Sequence, residues 1–186
     1  MTSLWERTWE HTNFAPLEGD VNTDVLIIGG GMAGVLCAYL LHHAGVPYML
    51  AEAETVCGGI TKNTTAKLNS QHGLIYDKLI RTLGIERAKG YLSANQEALQ
   101  KYRVLCDGID CDFEEKNAYV YALNDRQKLE QELAALEKLG FHGEFAEHLP
   151  LPFSTAGAVK FSNQAQFHPL KFVSAISKGL HIYEHT

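Results

Sequence analysis

Hydrophobic positions cluster in a few short segments separated by polar stretches. Residues 1–23 form a polar and aromatic lead-in, in which Pro16 and Gly19 interrupt any regular element. The run Val25-Leu26-Ile27-Ile28, closed by glycines, predicts a strand buried on both faces of a parallel sheet. Met32 to Ala44 carries Val35, Leu36, Ala38, Tyr39, Leu40 and Leu41, predicting an almost wholly apolar helix stopped by Gly45 and Pro47. Tyr48 to Ala51 predicts a second buried strand, with Glu52 at its carboxyl end. From Gly58 to Ser70 the chain is rich in Gly, Thr, Asn and Lys without apolar period, the pattern of a functional loop.

Further along, helices are expected over Ile75 to Thr82 and Ile85 to Leu105, the second broken or kinked near Gly90 and closed by Gly108. Tyr119 to Leu123 predicts a strand. Arg126 to Leu139 predicts a helix with Leu129, Leu133, Leu136 and Leu139 on its packing face, and Gly140 suits a left-handed cap. Two short strands, Ala158 to Phe161 and Ala165 to Phe167, precede a helix over Pro169 to Lys178 with proline in its first turn. A last strand is expected over Leu180 to Glu184. The fold class is therefore α/β: a Rossmann-like βαβ unit with an incomplete parallel sheet, followed by a mixed α+β portion.

Composition narrows the class of protein. With 186 residues, 46% hydrophobic and 20% charged, the chain is globular rather than disordered, collagenous or coiled coil. Its net charge of −6 and the scattering of its 16 Lys and Arg residues leave no footprint for nucleic acid. Cys37, Cys57, Cys106 and Cys111 are too irregular for a disulfide scaffold, which favours a reducing compartment. The lead-in, with Trp5, Glu6, Arg7, Trp9, Glu10 and His11, lacks the basic and apolar regions of a secretory signal, so a cytoplasmic location is expected. Val25 to Ala51 has no charged residue and the length of a membrane span, but its three consecutive glycines, Pro47, His42 and His43 favour a buried βαβ segment.

The chemistry-bearing motif is Gly29-Gly30-Gly31-Met32-Ala33-Gly34, a Gly-x-Gly-x-x-Gly between a strand and a helix, with Glu52 lying 18 residues beyond Gly34. Gly29 makes the tight turn, Gly31 lets backbone approach a pyrophosphate, and Gly34 allows close packing of helix on strand. The helix start at Gly31 to Ala33 offers unpaired N–H groups to a diphosphate, and Glu52 can accept the ribose hydroxyls of an adenosine. No Lys-Ser or Lys-Thr pair follows the glycines, which excludes a triphosphate P-loop, and Glu52 would repel the 2′-phosphate of NADP. NAD and FAD both remain. The long hydroxyl-rich loop Cys57 to Leu68 favours an extended cofactor, since this connection is usually short in a compact NAD domain.

Through Asp24-Val-Leu-Ile-Ile-Gly-Gly-Gly-Met-Ala-Gly34, Leu50-Ala-Glu-Ala53 and Gly59-Ile-Thr-Lys-Asn-Thr-Thr-Ala-Lys67, the chain resembles FAD-dependent oxidoreductases of the D-amino-acid oxidase and glycine oxidase superfamily. Ser3-Leu-Trp5 and Thr64-Thr-Ala-Lys-Leu-Asn-Ser-Gln-His-Gly73, with Tyr76 beyond, resemble a subgroup in which some members carry a C-terminal Rieske iron–sulfur domain. The resemblance implies FAD as cofactor and places Gly29, Gly31, Met32, Ala33 and Gly34 at the diphosphate. It places Glu52 at the adenosine ribose, with Ala53 beside it also binding the cofactor, and Thr61, Thr64, Thr65, Ala66 and Lys67 along the ribityl chain and flavin ring. It implies a lead-in over 1–23, an FAD-binding βαβ unit and flavin loop over 24–74, a substrate-domain portion over 75–167, and a return to the FAD-binding domain over 168–186. It covers about Ser3 to Thr186 and corresponds to the front half of such an enzyme, so the segment alone is expected to be inactive and prone to self-association.

Other features carry less. His42 and His43 diverge at a helix end and suit C-terminal capping rather than a metal. Cys106 and Cys111 have no further ligand at zinc spacing, and no Cys-x-His pair of a Rieske centre occurs in the chain. Lys67, His72 and Tyr76 are polar candidates near the expected flavin site, and no residue can be assigned a catalytic role. The function these readings favour is FAD-dependent oxidation of a C–N bond in a small-molecule amine or amino acid, by hydride transfer to flavin. The alternatives are a non-catalytic NAD or FAD binding module, and a structural segment whose sheet a partner chain completes.

Overall fold

A computed structural model describes residues 2–9 and 12–186. The readings of Glu10 and His11 in the lead-in lie outside these residues. The chain divides into two compact units: residues 1–66, 108–112 and 167–186 form the first, and residues 67–107 and 113–166 the second.

In the first unit, β1 (Val25–Ile28) leads into α2 (Met32–His43) and then β2 (Tyr48–Ala51). A short helix in the lead-in, α1 (Leu4–Arg7), precedes them. The two strands pair in parallel, Val25 opposite Tyr48 and Ile28 opposite Ala51. After the second unit the chain returns through α6 (Pro169–Ile176) to β7 (Ile182–Tyr183), which pairs in parallel with β2, giving the order β1-β2-β7. Leu50 and Val35 are fully buried and Ile182 nearly so, which places the core of this unit between sheet and helix. Two expectations need correction here. β1 alternates rather than being buried on both faces: Val25 and Ile27 are half-buried, whereas Leu26 is 51% and Ile28 85% exposed. The reason is its position at the sheet edge, where among the described residues α2 covers one face and no element covers the other. β7 is also shorter than the predicted strand, because Leu180 turns and Glu184 leaves the ladder to bond elsewhere.

The second unit contains β3 (Lys67–Leu68), α3 (Tyr76–Leu83), α4 (Ile85–Cys106), β4 (Glu114–Ala122), α5 (Arg126–Lys138), β5 (Glu144–Ala146) and β6 (Gly157–Gln166). Its antiparallel sheet runs β3-β6-β4, with β5 also paired to β6. Gly84, at φ +82°, separates α3 from α4. α4 continues unbroken through Gly90, where a Cβ would meet nothing, so this glycine costs helix propensity without ending the helix. The two short strands expected at 158–161 and 165–167 are one bulged strand. Lys116 faces Gln164 while Ala118 faces Phe161, so β6 holds an extra residue, accommodated by Asn163 at φ +56°. Tyr76, Leu129, Leu136, Val159 and Phe161 are fully buried together in the core of this unit. Among the described residues, no helix is long and apolar enough to cross a membrane.

Candidate functional site

The site begins where β1 ends. Gly29 adopts φ +102°, a conformation that side chains disfavour, and its N–H extends the ladder to Ala51 O at 2.8 Å. A Cβ on Gly34 would lie 2.0 Å from the carbonyl oxygen of Gly29, so glycine is obligatory there for the helix to sit against the turn. Gly30, which the motif leaves unspecified, is buried. Its Cβ would stand 3.0 Å from Val56 Cγ2 and 3.1 Å from Glu52 Cβ. Gly31 differs from the other three. It is the N-cap of α2 at φ −74°, and the nearest atom to a Cβ there is Thr61 Oγ1 at 3.7 Å. The protein's own packing does not require glycine at 31; a ligand approaching the backbone would.

The groups around this turn are suited to an adenine dinucleotide. Met32 N–H donates to Thr61 Oγ1 at 3.1 Å, whereas among the described residues the N–H groups of Ala33 and Gly34 have no partner. Free N–H groups at the positive end of a helix dipole are the chemistry that a diphosphate takes up. The Glu52 carboxylate is half-buried and already organised: Oε2 accepts Gly30 N–H at 2.6 Å and Oε1 accepts Glu54 N–H at 2.9 Å. Each oxygen keeps a further lone pair for a ribose hydroxyl. The residues present thus fit FAD at its adenosine and diphosphate end.

The loop after Glu52 folds back over the glycines. Cys57 N–H donates to Gly30 O at 2.9 Å, with Cys57 itself in a left-handed conformation at φ +58°. Burial pushes the Cys57 thiol up to about 11, opposed by a hydrogen bond to Thr61 and assisted by the nearby charge of Glu52. Val56 N–H donates to Glu184 Oε1 at 2.6 Å, and that carboxylate also accepts Phe14 N–H at 3.0 Å. A 3₁₀ turn over Thr61–Asn63 follows. Thr64 Oγ1 accepts Ala66 N–H at 3.2 Å, and Ala66 is buried at φ +56°. Thr64 and Thr65 are exposed, as is Ala53 beside Glu52.

Of the predicted cofactor residues, Gly29, Gly31, Met32, Ala33, Gly34, Glu52 and Thr61 are brought together in the first unit, whereas Lys67 begins the second, on β3 opposite Gln166. Gly30, Cys57 and Glu184 escaped the sequence reading. The signals that could have found them are the third glycine of the triplet, a cysteine opening the Gly58-Gly59 pair, and a carboxylate ending an apolar strand.

In the second unit, Lys67, Asn69, Gln71, Lys116, Asn117 and Gln164 are among the residues lining a cleft of about 430 Å3. Gln71 Nε2 donates to Val159 O at 3.0 Å, which fixes the amide orientation and leaves its buried Oε1 without a partner among the described residues. Tyr76, one of the polar candidates, is instead a core residue. It is fully buried, its hydroxyl donates to Ser70 O, and burial pushes its pKa far up. His72 is exposed and bonded to Asn95 at 3.2 Å. His43 Nδ1 donates to Tyr39 O at 2.8 Å, the helix-end role expected for it.

A parallel βαβ unit with this glycine turn and a carboxylate at the end of its second strand is the arrangement of a dinucleotide-binding fold. The family profile described as FAD dependent oxidoreductase matches residues 24–186, and the chain belongs to that family, whose cofactor is FAD. It is 39% identical over 193 residues to a Bacillus subtilis (strain 168) protein, YhfW, which carries the name of a Rieske 2Fe-2S iron–sulfur protein; the match covers 99% of this chain and 38% of that protein. It is 25% identical over 153 residues to gamma-glutamylputrescine oxidoreductase of Escherichia coli (strain K12), covering 81% of this chain and 34% of the relative. Among solved structures, glycine oxidase from Bacillus cereus ATCC 14579 superposes with TM-score 0.63 at 23% identity, over 88% of this chain and 46% of that one. L-proline dehydrogenase from P. horikoshii superposes with TM-score 0.71 at 14% identity, over 88% of this chain and 44% of that one. The chain therefore spans between a third and a half of the length of these relatives.

Proposed function

We propose that this chain forms the adenosine- and diphosphate-binding part of an FAD-dependent oxidoreductase that oxidises a C–N bond in a small-molecule amine or amino acid. The observation that carries the cofactor half of this reading is Gly31, the one glycine of the turn that neither its backbone conformation nor a neighbouring atom requires. When bound, FAD supplies the acceptor for a hydride from the carbon bearing nitrogen. The chain's own contribution is to bind and orient. Ala33 and Gly34 N–H meet the diphosphate, Glu52 accepts the ribose hydroxyls, and the loop over Thr61 to Ala66, with Lys67 next in the chain, lines the remainder of the cofactor. On the substrate side, the cleft of the second unit offers the polar groups of Lys67, Asn69, Gln71 and Gln164 to a small molecule.

Support for nitrogen-bearing substrates comes from the names of relatives, gamma-glutamylputrescine oxidoreductase and glycine oxidase. The similarity to YhfW supports a Rieske 2Fe-2S domain as an electron-transfer partner in the full-length protein. The test is to purify the full-length protein, confirm flavin absorbance, and add a panel of amines and amino acids without oxygen. Bleaching of the flavin by at least one nitrogen-bearing substrate is expected. A protein that purifies yellow but is bleached only by alcohols or hydroxy acids would refute C–N oxidation, and a colourless one that binds NAD would refute the cofactor reading.

A further inference from the structure

The lead-in is ordered by contacts that converge on the loop assigned to the cofactor. A four-residue helix has no stability of its own, so α1 must be held from outside. Ser3 and Glu6 close a capping box, Ser3 Oγ accepting Glu6 N–H at 3.3 Å and Glu6 Oε2 accepting Ser3 N–H at 3.0 Å. From this turn, Trp5 Nε1 donates to Thr64 O at 2.9 Å and Glu6 Oε1 accepts from Lys62 Nζ at 2.9 Å. The Ser3 N–H, and then Lys62, hold the Glu6 carboxyl below the usual carboxylate range. Behind them the arm is pinned to α6, its N-cap His168 and the residue that follows β7, by Thr8 Oγ1 to His168 Nε2 at 2.9 Å, Thr12 Oγ1 to Ser174 Oγ at 2.8 Å and Phe14 N–H to Glu184.

The two gripped loop residues, Lys62 and Thr64, closely follow Thr61, whose hydroxyl accepts the first N–H of α2. A continuous line of contacts thus runs from the arm through the 3₁₀ turn to the helix start that faces the diphosphate. An amphipathic lead-in that merely covered apolar surface would not need a directed indole N–H and an ion pair on this one loop.

We propose that the N-terminal arm is a clamp on the cofactor loop, with Trp5 and Glu6 as positioning residues that set how slowly FAD is released. The inference rests on the reading of Gly31 to Gly34 and Thr61 to Ala66 as the FAD site. Trp5→Phe keeps an aromatic ring against His168, whose ring centroid lies 5.0 Å away, but removes the donor to Thr64. Glu6→Gln keeps the shape and removes the charge that pairs with Lys62.

The experiment measures FAD release from the full-length protein by stopped-flow fluorescence, together with melting of the apoprotein. Each variant should release FAD about fivefold faster, and the double variant about twentyfold faster, from the loss of one and two loop contacts. Apoprotein melting should stay near wild type. Release from the wild type should also accelerate with salt, and this dependence should weaken in Glu6→Gln because the ion pair is gone. Release within twofold of wild type in all three variants overturns the proposal, as does faster release accompanied by a matching loss of apoprotein stability. If the double variant fails to fold, Trp5→Phe alone decides by the same criteria. Gly31→Ala separates the two levels: if it retains FAD, the site reading has failed, whereas loss of FAD with unaltered release from the arm variants rejects the clamp alone.

Discussion

Substituting alanine at Gly31 and at Gly34 should give opposite phenotypes, because the two glycines are needed for different reasons. At Gly34 the new methyl would sit 2.0 Å from the carbonyl oxygen of Gly29, inside an ordinary C···O contact of about 3.4 Å. Relieving an overlap of about 1.4 Å means shifting backbone at the start of α2, at the upper end of the roughly 1–3 kcal/mol typical of overpacking. The Gly34→Ala apoprotein should therefore melt well below wild type. At Gly31 the backbone conformation is open to any residue and the nearest atom is 3.7 Å away, so the apoprotein should lose only about 0.5 kcal/mol, the preference for glycine over alanine at an N-cap. FAD is where Gly31→Ala should register. A methyl between the backbone and the diphosphate moves the phosphates off the N–H groups of Ala33 and Gly34. Charge-assisted bonds contribute about 1.5–3 kcal/mol each, so losing two costs at least about 3 kcal/mol, a hundredfold or more in affinity. Titration of apoprotein with FAD, followed by flavin fluorescence, and thermal melting without FAD read the two quantities separately. A Gly31→Ala protein that binds FAD within threefold of wild type would refute the assignment of this turn to the diphosphate.

Glu52→Ala should weaken FAD binding about ten- to a hundredfold and also lower apoprotein stability by about 1–3 kcal/mol, because Gly30 and Glu54 N–H lose their acceptor; unchanged FAD affinity would remove Glu52 from the ribose. His168 gives a pH dependence: burial first, and then Lys171, lowers its pKa below the ordinary 6.5, while Nδ1 accepts Lys171 N–H as the cap of α6. Its contribution to stability is complete above pH 6.5 and is lost as pH falls through that value toward the depressed folded pKa, so His168→Asn should flatten the acid limb of urea melts, and an unchanged limb would contradict this. Cys37 is exposed whereas Cys57 is buried with its pKa pushed up to about 11, leaving about one thiol in a thousand ionised at pH 8. Alkylation mapped by mass spectrometry should label Cys37 first, and equal rates at the two would show the loop over Gly30 to be open. Residues 1–186 expressed alone should associate as concentration rises, through the exposed face of Leu26 and Ile28, and Ile28→Lys should suppress this in analytical ultracentrifugation; equal association in both would place the contact elsewhere.

Residue order alone makes legible the parts of the fold whose physics is local. Strand Val25–Ile28, the glycine turn, the apolar helix and strand Tyr48–Ala51 follow from runs, breakers and spacing within 30 residues, and so does the position of Glu52 at a strand end. The separation of α3 from α4 was also legible, since one helical pattern ends at Thr82 and the next begins at Ile85, and the structure puts Gly84 between them at positive φ. What each side chain touches depends instead on how distant segments meet. Apolar content at β1 could not reveal that Ile28 would face outward, because burial depends on which layers cover an edge strand. Nor could the interruption at Ser162-Asn163 show a bulge rather than a break, because the pairing that spans it comes from β4, more than 40 residues earlier. The same holds for the cofactor loop. Val56 is held by a carboxylate 128 positions away and Thr64 by an indole 59 positions away, contacts that only the closing of the chain on itself can bring within hydrogen-bond distance.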